Sequence, residues 1–480
     1  MISSSLVSQK ASLFMKGLFT YIPHFCVIVL AITLFSNALI APADTYNYQR
    51  FIQFLLFLTC FVVTLLAFLS LKLDPRLFVF VVSRDRCVAV ACLAAITIGL
   101  AGSLSLSKFP VWSMLDLEYW LIGLGMTWST LLSIRQFEIV HWQRLGLVCL
   151  LLMTLFFIRS MIDISISVPF TNLLTATPGV ANIRLFSDLA VVIMPLSWLA
   201  LSGRSGPGLR FLVLIMSIYW AWILLLTEAR SGLVSLFIAV SWVFLLHGKA
   251  GRWAFCIYLF IIATSFALLL SLPVLSVDGW TRDVTSSSGR WSLWALSLKY
   301  FAESFPFGIG GMMFAADGRP VISSPHNIIL ILMAEWGALV VAGILTLLLV
   351  SLRQGSLEWR SRVPFYIGVV RTPVVIGTVA GSVNLMFSGA QIAPFSSLVL
   401  VLSYGALLAI YFPSRRKEKS GGIFGTVLSI GLLVICFHAS WLGYELYEIS
   451  EANRQVCYEA TEVFSPRFWV QGRLDCGVGY

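Results

Sequence analysis

Thirteen apolar runs, separated mostly by short polar connections, make up the greater part of this 480-residue chain. They fall near 18–40, 51–71, 87–107, 117–134, 145–162, 184–202, 211–226, 233–246, 253–273, 327–350, 363–383, 396–412 and 421–440. A hydrocarbon core about 30 Å thick takes about 20 helical residues to cross, and most of the runs are close to that length. Backbone groups inside a bilayer must pair within the protein, and a helix pairs its own. The pattern predicts an all-α, polytopic membrane protein of about 12–13 transmembrane helices. The first run, from about Gly17 to Ile40, is too long for the apolar region of a signal peptide and lacks a clear cleavage site, so it reads as the first span.

One connection stands apart from the rest. The segment from Val274 to Pro325 is 52 residues long and rich in Ser, Gly and Asp. Within it Ser288 can cap a helix from Gly289 to about Ser304, with Trp291, Trp294, Leu298 and Phe301 recurring on one face. Pro306 stops that helix, and Gly308-Ile309-Gly310-Gly311 makes a turn. An amphipathic helix with tryptophans on its apolar side lies at a membrane interface. The runs on either side of Arg230 are also unusual, at about 16 and 14 residues. At ~1.5 Å per residue each reaches only roughly 21–24 Å, which places the Arg230 turn below the membrane surface, where irregular backbone must be buried or line a wet cavity.

Charge sets the orientation. Only 11% of residues are charged, against about 25% in soluble proteins. The net charge of +10 invites a nucleic-acid reading, but its distribution rejects it. With the N-terminus inside, the inner segments hold nineteen of the 32 basic residues and only five of the 22 acidic ones. That is the positive-inside rule. The N-terminus is then cytoplasmic, the 274–325 loop lies outside, and an odd number of spans puts the C-terminus outside. Residues 1–440 read as the multispan transmembrane domain and 441–480 as an outer polar tail. In an oxidising exterior Cys457 and Cys476 of that tail can form a disulfide. The other seven cysteines lie in or beside apolar runs and read as small packed hydrophobes. The chain has no CxxC or zinc-ligand spacing.

Three polar islands carry the chemistry: Thr227-Glu228-Ala229-Arg230-Ser231-Gly232, Ser286-Ser287-Ser288-Gly289-Arg290-Trp291 and Ser324-Pro325-His326-Asn327. All fall on the outer side. Arg230 can grip a diphosphate with two parallel hydrogen bonds, or pair structurally with Glu228. Arg290, in the first turn of the interfacial helix, adds to the field that favours an anion there, or touches lipid headgroups. His326 opens the tenth span, with Ser324 as cap and Pro325 at the first helical position. The positive helix end disfavours imidazolium and predicts a neutral histidine able to take a proton. The plainer role is an interfacial histidine bonded to Asn327 or to backbone. Glu335 is out of phase with it on the helix.

The remaining polar residues carry weaker signals. Arg184 and Asp188, one turn apart, can pair locally. Arg159 lies near the end of the fifth run and Lys299 on the outer helix, and Arg319 is solvated in the long loop. Arg371 either snorkels inward or marks a later start of the eleventh span. Asn384, Ser388 and Gln391 form a polar patch that can line an entrance. Glu228, Asn327 and Arg319 are the supporting candidates around the three islands.

From about Leu224 to Gly343, a quarter of the chain, the ordered set resembles the O-antigen ligase and polysaccharide polymerase superfamily of bacterial membrane glycosyltransferases. The residues that carry the likeness are Thr227-x-x-Arg230-Ser231-Gly232, Gly289-Arg290-x-x-x-Trp294, Pro306-Phe307-Gly308-Ile309-Gly310, Pro325-His326-Asn327 and Glu335-Trp336-Gly337. The resemblance implies transfer of a glycan from undecaprenyl pyrophosphate to an acceptor hydroxyl at the periplasmic face of the inner membrane. It implies that Arg230 and Arg290 bind the pyrophosphate, that His326 activates the acceptor, and that no metal or nucleotide cofactor takes part. Ligase-type transfer to lipid A–core is one outcome. Others are polymerisation of O-antigen or exopolysaccharide repeat units and protein O-glycosylation. Many ligases look like twelve-span proteins with both ends inside, and the thirteenth run and outer tail depart from that pattern. A different class, a polysaccharide transporter or flippase, would show repeated halves with helices broken near the midplane; no repeat is visible here.

Reporter fusions test the orientation: residues 250 and 416 are expected in the cytoplasm, and residues 300 and 460 outside. A cytoplasmic signal at 460 would remove one of the thirteen spans.

Overall fold

The structure, a computed structural model, describes residues 13–36, 42–71, 86–166, 177, 179–180, 183–227, 229–271, 289–316, 323–359, 365–411 and 422–452. Among these every apolar run contains a helix, and none of the described residues is in a strand. The first is α1 (Ile22–Ser36), preceded by a short helix, Leu13–Thr20, bent 50° from it. Then come α2 (Pro42–Leu71), α3 (Arg86–Leu106), α4 (Pro110–Ile134) and α5 (Ile139–Ile166). α6 (Ile183–Ser197) ends in a tighter turn, Trp198–Leu201, and is followed by α7 (Pro207–Leu226), α8 (Arg230–Leu246) and α9 (Gly248–Ser271). The outer loop supplies α10 (Arg290–Glu303). The last four are α11 (Ile328–Trp359), α12 (Phe365–Asn384), α13 (Pro394–Tyr411) and α14 (Gly422–Ala452).

By length and composition eight of the described helices can cross a bilayer, and the bent pair at the start makes a possible ninth. Helix ends differ from the run ends where local chemistry extends them. α7 starts at Pro207, not at 211, because proline is tolerated in a first turn whose N–H groups have no intrahelical partner. Its 20 residues span about 30 Å, so the expected pair of short helices around Arg230 reduces to one short member, the 17-residue α8. α14 continues to Ala452, past the end of its run.

α6 sits at the centre. Leu189, Ala190, Val191, Val192, Ile193 and Met194 are all buried, and the helix is enclosed by α5, α7, α8, α12 and α13. A helix that is apolar on every side is a core helix. α8 and α12 pack on each other as well as on α6. The remaining helices pack in pairs: α1 with α5, α2 with α14, α3 with α11, α4 with α13 and α7 with α9. α10 lies on the start of α11, where Leu293 and Tyr300 meet Phe314, Ile331 and Ala334. Its other side presents Trp291 and Leu298, both exposed. Two of the four residues expected on the apolar interfacial face, Trp291 and Leu298, are therefore turned away from the protein, while Trp294 and Phe301 are partly buried. Gly289, with φ 75°, is its N-cap and gives no side-chain hydrogen bond; the expected cap, Ser288, lies outside the described residues.

Two of the glycine-containing motifs turn out to be one structural device. α11 breaks at Gly337 (φ 80°, ψ −178°), a conformation open essentially to glycine alone. The break frees carbonyl and N–H groups that a continuous helix would pair. The segment after α10 takes them up: Ile309 N–H donates to Ala334 O at 2.9 Å, Gly310 N–H to Glu335 O at 2.9 Å, and Ala338 N–H to Pro306 O at 2.8 Å. The Ser103 hydroxyl also donates to Glu335 O, at 2.6 Å. Glu335 itself is buried and accepts the Phe314 N–H, while the Trp336 indole donates to Asp116. A Cβ on Gly308 would stand 2.5 Å from Glu335 O, and one on Gly337 would stand 2.2 Å from Pro306 O.

Gly337→Ala and Gly308→Ala each force a side chain into positive φ and against backbone, at a cost of at least about 1–3 kcal/mol. Thermal unfolding of purified protein is expected to show lower melting temperatures for both, with lower yield. Wild-type melting of Gly337→Ala would contradict the break as described.

Candidate functional site

Arg230 and Arg290 are sixty residues apart and play the same local part. Each is the first residue of a helix whose N-cap offers no side-chain hydrogen bond: Ala229 before α8 and Gly289 before α10. The chain enters α8 directly from α7, whose end is held by the Thr227 hydroxyl bonded to Ile223 O at 2.8 Å and by Ala229 N–H on Leu224 O at 3.0 Å. Gly232 lets the first turn of α8 press on α6. A Cβ there would be 3.3 Å from Ser187 Cβ and from Val191 Cγ1. Arg230 is exposed and Arg290 half-buried. Burial, and then the Arg230 charge beside it, pull the Arg290 guanidinium below its ordinary pKa. The two cations are thus close enough to act on one another.

His326 differs from its expected setting. α11 begins at Ile328, and its cap is Asn327, whose side-chain oxygen accepts Ile329 N–H at 3.0 Å and Leu330 N–H at 3.1 Å. Pro325 and His326 both precede the helix. Ser324 receives the His326 N–H at 3.2 Å and caps nothing in α11. His326 has φ 53°, which is uncommon for a residue with a Cβ. Asparagine wins the cap because its amide oxygen reaches two first-turn donors and its Nδ2 also reaches Met386 O at 3.2 Å.

One hydrogen bond joins the helix of Arg290 to the turn of His326. The Trp294 indole, one turn after Arg290, donates to Pro325 O at 3.0 Å. On the far side His326 is backed by the turn between α12 and α13. A Cβ on Gly389 would lie 3.5 Å from His326 Nδ1, and Ile328 N–H donates to Leu385 O at 3.0 Å. The fold therefore brings α8, α10, the start of α11 and the α12–α13 turn into one assembly, although they are far apart in sequence.

Other polar residues have structural partners. Arg159 is paired with Asp163 at 2.9 Å and Lys299 with Glu303 at 3.8 Å. Arg371 does not snorkel: it is buried, stacked on the Tyr411 ring at 5.1 Å and hydrogen-bonded to it. Asn384, Ser388 and Gln391 are buried rather than lining an entrance, and Asn384 donates to Asp188 at 2.6 Å. Glu228, Arg319, Cys457 and Cys476 lie outside the described residues, as does the side chain of Arg184. Among the other cysteines Cys26, Cys60, Cys92, Cys149 and Cys436 are buried, and Cys87 and Cys256 are exposed.

Arg50 is a buried cation that the apolar pattern hides. The apolar run starts at residue 51, but α2 starts at Pro42, so Arg50 lies two turns inside. Its guanidinium donates to Gln53 Oε1 at 2.7 Å, to the Tyr119 hydroxyl at 2.8 Å, to the Tyr46 hydroxyl at 3.2 Å and to Ile392 O. The spacing of Tyr46, Arg50 and Gln53 was the available signal: it is that of one helix face continuing into the run.

No curated protein matches the chain. Residues 211–345 match the family model described as O-antigen ligase. That stretch contains α8, α10 and the start of α11, with Arg230, Arg290, Trp294, His326 and the Gly337 break. Over these residues, about a quarter of the chain, the protein is similar to the O-antigen ligase family.

Proposed function

We propose that this protein is a glycosyltransferase that moves a glycan from undecaprenyl pyrophosphate to an acceptor hydroxyl at the periplasmic face of the inner membrane, with lipid A–core as the acceptor. The observation that carries the reading is the action of the Arg230 charge on Arg290 at the mouths of two helices without side-chain caps. A diphosphate between them gains two planar guanidinium forks and two positive helix ends. It also relieves the repulsion between the two cations. The donor enters from the lipid phase, and the outward Trp291 and Leu298 of α10 keep that helix at the interface.

His326 takes the proton of the acceptor hydroxyl. The acceptor oxygen forms its bond to the anomeric carbon as the bond from that carbon to the pyrophosphate oxygen breaks. The leaving undecaprenyl pyrophosphate carries away the electron pair, and its growing charge is held by Arg230 and Arg290. A single displacement inverts the anomeric centre. No step calls for a metal or a nucleotide. The positive-inside distribution puts the N-terminus in the cytoplasm and the 441–480 tail in the periplasm, where Cys457 and Cys476 can be bridged.

The test is to purify full-length variants and measure donor binding and glycan transfer separately. His326→Ala is expected to lower transfer by about 10²–10⁴-fold, the range for loss of a general base, with donor binding largely retained. Arg230→Ala and Arg290→Ala are expected to weaken both, because the diphosphate is present before and during the transfer. Lysine at either position keeps the charge but not the fork and is expected to restore function only in part. Wild-type transfer by His326→Ala would remove the base assignment. Unchanged affinity of both arginine variants for undecaprenyl pyrophosphate would remove the donor site.

A further inference from the structure

We propose that Asp188 is a positioning residue for His326. It lies on α6 directly before the buried apolar stretch Leu189–Met194, and is itself buried. A carboxylate in that setting is costly, and side-chain packing alone would be served better by a leucine. Its Oδ1 accepts the Asn384 amide at 2.6 Å, and it is hydrogen-bonded to Ser388 as well. Those two donors bracket the turn that leaves α12. Between them Leu385 O takes the Ile328 N–H at 3.0 Å and Met386 O takes the Asn327 amide at 3.2 Å. The next residue, Gly389, stands against the His326 ring.

The same short turn is therefore gripped by Asp188 on one side and supports His326-Asn327 on the other. This matters because His326 holds a positive φ. A residue with a Cβ stays in such a conformation only where its surroundings over-determine it. Asp188 also adjoins Ser187, on which the first turn of α8 rests through Gly232. One step of α6 thus sets the helix of Arg230 against the turn behind His326. Asp188 touches neither substrate; it acts through the turn, and this role rests on the reading of His326 as the base.

The experiment uses full-length Asp188→Ala, Asn384→Ala and the exchanged double variant Asp188→Asn/Asn384→Asp, with His326→Ala alongside. Affinity is measured with undecaprenyl pyrophosphate itself, and turnover as its release from lipid-linked glycan extracted from cells. A misplaced catalytic group costs about 10²-fold, so both alanine variants are expected to lose about that much turnover while affinity for undecaprenyl pyrophosphate stays near wild type. The exchanged variant puts the carboxylate back opposite the amide and is expected to regain most of the rate. Wild-type turnover in Asp188→Ala overturns the role, as does a parallel loss of affinity and turnover or an exchange no better than the alanine variants. Should Asp188→Ala fail to accumulate, Asn384→Ala and the exchange carry the same comparison. If His326→Ala transfers normally, the base assignment fails and this role with it. If His326→Ala is inactive while Asp188→Ala is not, only the role of Asp188 is lost.

Discussion

A bilayer interior offers no water, so every helix break in it must be answered by another part of the protein. The break at Gly337 in α11 is answered by the segment 306–310, bond for bond. That exchange fixes where α10 ends and how it lies on α11, and so where Arg290 stands. The N-termini of α8 and α10 are treated differently. Neither receives a side-chain cap, and each begins with an arginine. The proposed donor site uses those positive ends to hold an anion.

Two like charges held near one another are a poor choice for stability, and in the proposed site a diphosphate offsets that cost. Burial and the neighbouring cation both work against the charged form of Arg290. The protein keeps the pair because its framework is held elsewhere: by the apolar enclosure of α6 and by the Ile309, Gly310 and Ala338 bonds across the break. Strain at His326 belongs to the same pattern, since rare backbone conformations collect at functional sites and persist through the structure around them.

The helices were legible because apolar length is set by bilayer thickness, and each run holds one. Their ends were less so. Pro207 and Pro42 begin helices inside stretches that hydropathy reads as loop. The first of these lengthened α7 and the second hid Arg50. Arg230, Arg290 and His326 could be singled out because polar residues are rare and ordered along this chain. Their approach to each other could not, since it depends on contacts such as Trp294 to Pro325 O that carry no local pattern. The cap of α11 was misjudged for a similar reason. Serine, proline and asparagine all suit a helix start, and only the turn at Met386, sixty residues on, makes Asn327 the better choice. Asp188 looked like half of a local pair with Arg184, whereas its observed partners, Asn384 and Ser388, come from the other end of the chain.

In the proposed mechanism charge and base sit on separate elements, and that division has a consequence for how such an enzyme can work. On that reading the donor clamp is built from α8 and α10, and the base stands on the turn before α11. Two connections span the gap: the indole of Trp294 on Pro325 O, and the step of α6 that touches Gly232 through Ser187 and the α12–α13 turn through Asp188. Both work beside the apolar seat of α10 on the start of α11, where Leu293 and Tyr300 meet Ile331 and Ala334. Reaction needs the acceptor hydroxyl, the anomeric carbon and the pyrophosphate in line to within a fraction of an ångström, and groups bound separately achieve that only if their supports are rigid with respect to each other. A buried carboxylate gripping two donors of one turn supplies that rigidity, because its geometry is directional in a way that apolar packing is not.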